Sequence, residues 1–252
     1  MKLTVVGCSG SYPGPDSPAS CYLIEADDEH GRTWRILMDL GNGALGALHN
    51  YVDPLLIDAV VLSHLHADHC LDLCGYYVMR KYHPRGPQPR IPVYGPSDTA
   101  GRMARAYDLP EDPGMSEEFD FLPYDGTVNI GPFTVTAIPV LHPVEAFGLR
   151  VSAGGRSLAY TGDTAPCDQL QDLADGVNLL LAEASFRACD DNPPEIHLTG
   201  VDCGRIAECS GADRLVITHI PPWFDKRGML EEAVGVHGGA VELAHAGAVY
   251  EI

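Results

Sequence analysis

The sequence predicts an α/β fold in which packed β-sheets are covered on their outer faces by helices, and three observations carry that prediction. Short runs of β-branched and aliphatic residues alternate with segments bearing helix start and stop signals. Five of the apolar runs end in a residue able to ligate a metal or move a proton: 59–63 at His64, 134–141 at His142, 157–161 at Gly162-Asp163, 177–182 at Glu183 and 214–218 at His219. In packed sheets such ends converge on one edge, where loop residues line a crevice. Finally, 252 residues with 45% hydrophobic content suffice to bury a full core, so the chain is expected to form one domain over 1–252.

Taken in order, residues 2–6 read as a β-branched strand ending at Gly7, followed by a Gly/Ser/Pro-rich loop to Ser20. Residues 21–25 and 33–40 read as two more strands, joined by the polar hairpin Asp27-Asp28-Glu29-His30-Gly31. Asp39-Leu40-Gly41-Asn42-Gly43 breaks the chain before a short helix at 44–49. After strand 59–62, Asp68 is placed to cap a helix running to about Tyr82, apolar on most sides and therefore expected to be buried. The basic, proline-rich segment 80–90 reads as a solvated loop ahead of strand 91–94 and a helix at 97–107. An acidic connection with Pro110, Pro113 and Gly114 follows. In the second half, helices at 199–209 and 225–236 would cover the outer sheet faces.

The balance of 16 Lys+Arg against 35 Asp+Glu gives a formal charge of -19, which repels long nucleic acids and acidic membrane surfaces. An anionic substrate should then be small, or be drawn by bound cations acting inside one cleft. Eight cysteines without a Cys-x-x-Cys pair read as reduced, mostly buried thiols. Only residues 3–6 precede Cys8 as an apolar run, and none approaches the ~20 residues of a membrane span. The expected location is the cytoplasm.

The run His64-Leu65-His66-Ala67-Asp68-His69 concentrates three imidazoles and a carboxylate in six residues, a donor set suited to zinc, manganese or iron. At a strand exit His64 and His66 can face one ion, completed by His142, while Asp68 and His69 face a second, completed by His219. Asp163 can bridge the two. Such ions, about 3.5–4 Å apart, share a water, lower its pKa from 15.7 to roughly 7 and clamp both oxygens of an in-line displacement. His197 can act as general acid, with Glu183 setting its tautomer and basicity. Asp68 thus counts both as ligand and, with Glu183 and His197, among the catalytic residues. His30, His49, His83, His237 and His245 lack such a context and are read as surface or core residues.

At these residues the chain resembles the metallo-β-lactamase superfamily, through HxHxDH at His64 to His69, then His142, Gly162-Asp163 and His219. Within it, Gly7-Cys8-Ser9-Gly10-Ser11, Tyr94-Gly95-Pro96, residues 142–148 (HPVEAFG), 160–164 (YTGDT), Glu183-Ala184-Ser185 and His197-Leu198-Thr199 resemble the tRNase Z-like phosphodiesterase branch. The resemblance implies a four-layer αββα sandwich, two zinc ions, and help with leaving-group departure from Glu183 and His197. Two departures bear on the substrate: Ala182 stands where that branch usually has histidine, and only seven residues separate Arg150 from Leu158, leaving no room for the arm that grips tRNA. A narrower resemblance, through residues 3–11, 14–20, 63–73 and Thr218-His219-Ile220-Pro221-Pro222-Trp223, is to bacterial atypical class II-like cyclic AMP phosphodiesterases. It implies hydrolysis of a 3′,5′-cyclic nucleotide to the 5′-monophosphate, and the family carries an expectation of a homodimer.

Alternatives remain open on the residues alone. A ribonuclease, a 2′,3′-cyclic or dinucleotide phosphodiesterase, and a lactonase or thioesterase would all use the same metal site. Trp223 and Phe224, just after His219, are candidates to stack on a base and equally candidates for ordinary packing.

Overall fold

The computed structural model describes residues 1–252. Strands β1 (Lys2–Gly7), β2 (Cys21–Asp27), β3 (Thr33–Met38), β4 (Ala59–Val61), β5 (Ile91–Gly95) and β6 (Phe119–Pro123) lie side by side in chain order in one sheet. Strands β7 (Thr127–Ile130), β8 (Phe133–Pro139), β9 (Phe147–Ala153), β10 (Arg156–Tyr160), β11 (Leu179–Glu183), β12 (Arg214–Thr218) and β13 (Ala240–Leu243) form a second, and β14 (Val249–Glu251) returns to pair with β1. Helices α1 (Ala44–Leu48), α2 (Ala67–Cys70), α3 (Leu73–Lys81) and α4 (Thr99–Ala106) interrupt the first sheet's strands, and α5 (Gln169–Ala174), α6 (Gly200–Ser210) and α7 (Lys226–Val234) the second's.

The layers follow from which side chains alternate to which face. In β2, Tyr22 and Ile24 point into a core shared by the two sheets, whereas Cys21 and Leu23 point outward under α1 and α3. In β11, Leu179 and Leu181 enter the shared core, whereas Leu180 and Ala182 meet α5, α6 and α7. In the central strands β1, β4, β11 and β12 both faces are buried and the sequence is a near-continuous apolar run, whereas β8 alternates, with Thr134 exposed. The result is helix, sheet, sheet, helix: the expected four-layer αββα sandwich of a metallo-β-lactamase fold. No helix is long and apolar enough to cross a membrane.

Strand direction decides where the site lies. β3 and β4 are parallel, as are β10, β11 and β12, while the antiparallel pairs β8/β9 and β9/β10 make β8 run with β10. The carboxy ends of β3, β4, β8, β10, β11 and β12 therefore carry Asp39, His64, His142, Asp163, Glu183 and His219 to one edge of the sandwich.

Two local expectations are corrected. Asp68 does not cap a long helix: His66 occupies the N-cap of α2, and the helical stretch breaks between α2 and α3. The backbone of Leu40 causes the break, donating to His69 O at 2.7 Å and accepting from Asp72 N at 3.1 Å, where a continuous helix would use its own groups. Arg80 is not part of a solvated basic loop. It is buried in α3, where its guanidinium reaches Tyr76 Oη and Pro89 O. Of the eight cysteines, all free, Cys8, Cys21, Cys70 and Cys203 are buried, while Cys189 and Cys209 are exposed.

Candidate metal centre

All nine residues singled out in the sequence meet at this edge. His64, His66 and His142 form one group, with His66 Nδ1 3.0 Å from His64 Nε2 and 3.2 Å from His142 Nε2. Asp68, His69, Asp163 and His219 form a second. There, His219 Nε2 lies 3.0 Å from Asp68 Oδ2 and 3.1 Å from His69 Nε2. Asp163 faces both groups with different oxygens. Its Oδ2 is 3.7 Å from His64 Nε2, and its Oδ1 is 3.3 Å from His69 Nε2 and 3.4 Å from His219 Nδ1. Glu183, His197 and His219 form a third group alongside.

Backbone devices hold these side chains in place. Gly162 has φ of 58°, and a Cβ there would fall 2.7 Å from Phe147 O and 3.0 Å from Ser63 Cβ. Only glycine lets β10 exit close enough to the opposite sheet for the next residue, Asp163, to reach both histidine groups. Asp39 (φ 57°) and His219 (φ 53°) also take left-handed backbone, a conformation that costs non-glycine residues of order 1–3 kcal/mol and gathers at functional sites.

Outer hydrogen bonds decide which ring nitrogens face inward. His69 Nδ1 donates to Asp39 Oδ2 at 2.7 Å and His142 Nδ1 to Ile196 O at 3.0 Å. Ser63 Oγ donates to Asp39 Oδ2, so it accepts from His64 Nδ1 at 3.1 Å. Ser185 Oγ donates to His219 O and so accepts from His219 Nδ1 at 2.9 Å. Each Nε2 is left without a proton and aimed at its neighbours, the arrangement that metal-ligating imidazoles adopt.

Three further facts fit divalent cations at this place. Unprotonated nitrogens about 3 Å apart repel unless a cation lies among them. Asp163 Oδ1 is buried and receives no hydrogen bond. Four buried carboxylates, Asp39, Asp68, Asp163 and Glu183, have only hydroxyls, backbone amides and imidazoles as partners and no Lys or Arg, leaving a negative charge that burial makes costly. Burial lowers the pKa of His64, His66 and His142, keeping them neutral and available as donors.

Glu183 ends β11 fully buried, accepting from Thr164 N and Leu198 N on Oε1 and from Ser185 N on Oε2. His197 Nδ1 donates to the same Oε1 at 2.9 Å and lies 4.0 Å from Asp163 Oδ2. Burial pushes the His197 pKa down, but the charge and hydrogen bond of Glu183, with the charge of Asp163, raise it to about 9. At neutral pH the ring is thus a proton donor beside the two histidine groups.

Sequence reasoning missed the residues that position the cluster. Asp39 was read only as part of a chain break, yet it also accepts from Ser63 N at 2.7 Å and from Tyr160 Oη at 3.0 Å. Its signal was available, since it follows the apolar run of β3 as the other site residues follow theirs. Asp39→Asn removes the charged acceptor behind His69 and is expected to weaken divalent-ion affinity about 10–100-fold, measured by metal titration.

Comparison with known proteins supports this frame. A model of the beta-lactamase superfamily domain matches residues 34–220. An uncharacterized protein of Mycobacterium tuberculosis is 43% identical over 257 residues, covering 100% of this chain and 92% of its own. The probable metallo-hydrolase YhfI of Bacillus subtilis is 30% identical over the whole of both chains. The YhfI crystal structure, described as a metallo-beta-lactamase fold protein, superimposes with a TM-score of 0.87 at 29% identity, covering 100% of this chain and 99% of that one. Human tRNase Z, short form, shares the fold, with a TM-score of 0.76 at 22% identity over 100% and 99% of the two chains.

Proposed function

This chain belongs to the beta-lactamase superfamily, and we propose that it is a dinuclear phosphodiesterase hydrolysing 3′,5′-cyclic nucleotides, cyclic AMP foremost, to the 5′-monophosphate. His64, His66 and His142 would hold one divalent ion and Asp68, His69 and His219 the other, with one Asp163 oxygen toward each; zinc suits the donor set best, and manganese or iron also fits. Ions so held supply Lewis-acid charge to the phosphoryl oxygens and acidify water.

The observation that carries the phosphodiester reading is the Glu183–His197 pair. When water adds to phosphorus and the P–O3′ bond breaks, the ribose O3′ leaves as a poor leaving group that needs a proton. His197 supplies it, its Nδ1 fixed on Glu183 and its Nε2 free to meet the departing oxygen. Glu183 keeps the ring charged before transfer and is itself tied down by three backbone amides. An acyl substrate has less need of such an acid. The small size of the substrate is supported by the charge of -19 and by the turn at Gly154-Gly155, which joins β9 to β10 directly where tRNA-gripping enzymes of the resembled branch carry their arm.

The test is a panel of substrates offered to metal-loaded protein: cyclic AMP, cyclic GMP, 2′,3′-cyclic nucleotides, short RNA and a lactone. Cyclic AMP should be turned over fastest. Consumption of RNA, a 2′,3′-cyclic nucleotide or the lactone while 3′,5′-cyclic nucleotides persist would overturn the reading.

A further inference from the structure

Two aromatic rings stand in the open on the loops that flank His219. Trp223 is 59% exposed and Tyr12 41%, and their ring centroids are 5.2 Å apart at 34°. Phe224, the other aromatic of this segment, is committed elsewhere: it packs against the outer core of the second sheet under the Arg187 guanidinium, 5.0 Å from its ring. From there it meets Trp223 edge-on at 6.0 Å. The indole is thus propped by two rings while most of its surface stays in water.

The loops bearing the pair are fastened to His219. Gly10 N donates to Ile220 O at 3.2 Å, and a Cβ on Gly10 would fall 2.2 Å from His219 O, so only glycine allows this approach. Ser11 N lies 3.4 Å from His219 Nε2, and Ser9 Oγ donates to Tyr12 O at 2.7 Å. Tyr12 is therefore one residue beyond an amide that touches the metal cluster. On the other loop Pro221 and Pro222 join His219 to Trp223 and restrict the backbone between them.

We propose that Trp223, buttressed by Tyr12, is the platform on which the heteroaromatic base of the substrate stacks while its phosphate lies at the metal centre. The inference rests on the phosphodiesterase reading and adds the part of the substrate that reading leaves unplaced. Stacking on an indole uses the face of any base, so the platform favours nucleotides over base-free phosphodiesters without choosing sharply between adenine and guanine.

The chain has two tryptophans, and the other, Trp34, lies at the start of β3, at the opposite edge of the sheet, with its indole N–H on Asp28. Adenosine 5′-monophosphate added to metal-loaded protein should therefore quench Trp223 emission saturably, and Trp223→Phe should abolish that quench. Trp223→Ala should raise KM for cyclic AMP about tenfold, with Trp223→Phe restoring most of the loss and Tyr12→Ala giving an intermediate rise. The ratio of kcat/KM for cyclic AMP to that for the abasic cyclic ribose phosphate should fall by the same factor. No quench in the wild type, or a KM and ratio unchanged in both alanine variants, overturns the platform while leaving the phosphodiesterase reading intact. Quenching by the nucleotide in a protein that does not hydrolyse cyclic AMP overturns that reading and keeps the platform.

Discussion

Alanine at position 197 is expected to slow hydrolysis of cyclic AMP by about 10²–10⁴-fold, the usual worth of a positioned general acid. The same substitution should cost far less on bis(p-nitrophenyl) phosphate, whose leaving group departs without a proton. Comparing kcat for the two substrates separates proton donation from structural damage, because damage to the metal centre would slow both alike. The geometry behind the expectation is specific. His197 has its Nδ1 on Glu183 Oε1, and the Glu183 carboxylate is itself anchored by amides from three segments. A pKa of about 9 keeps the ring charged through neutral pH. Equal losses on both substrates would remove His197 from the chemical step.

Replacement of Asp163 by alanine should be at least as damaging, with a fall in turnover of about 10³-fold or more, since several kcal/mol of Lewis-acid stabilisation depend on both ions being held. Asp163 is the one residue whose oxygens face both histidine groups, at 3.7 Å on one side and 3.3 Å on the other. Metal analysis should then show fewer than two ions per chain. Chelation of the wild type should abolish turnover and lower the melting temperature, because the ions bind only the folded chain. Restoring free metal to 100-fold above its dissociation constant should return about 2.7 kcal/mol of stability. Activity that survives exhaustive chelation would refute the metal assignment.

The legibility of the fold varied with burial. Strands β1, β2, β3, β4, β5, β8, β10, β11 and β12 could be read because each is a short apolar run between turn signals. The edge strands β6, β7, β13 and β14 could not, since they have exposed positions and their pairing partners, not their own composition, make them strands, and neither could the interior β9, whose apolar run is broken by Gly148, Arg150 and Ser152. The six-residue helix α5 is too short to show a period. The supposed long helix after His69 looked continuous because its propensity is sound. It breaks because Leu40, thirty residues away along the chain, supplies the hydrogen bonds that end it.

At the site the division is similar. The donor types and their places at strand ends were legible in sequence, because a ligand must be His, Asp, Glu or Cys and a strand exit is marked by its apolar run. Ser63 and Ser185 were not, because residues that act by holding an imidazole look like any other polar residue in a turn, whereas Asp39 shares the strand-end signal and was passed over as part of a chain break. Trp223 and Phe224 were indistinguishable as neighbours in sequence, and only their surroundings separate an exposed ring from a packed one.

By itself, then, the sequence determined the kind of protein: packed β-sheets covered by helices, an acidic composition and a His/Asp set gathered where strands end, with the αββα order of layers implied by the family resemblance. These are properties of local pattern and residue chemistry, and they survive without coordinates. Only the tertiary structure decided which nitrogen of each imidazole faces inward, which Asp163 oxygen faces which group, and which aromatic is left in solvent. Those depend on contacts between segments up to about two hundred residues apart, such as Ser11 against His219, and nothing in a local stretch of chain encodes them.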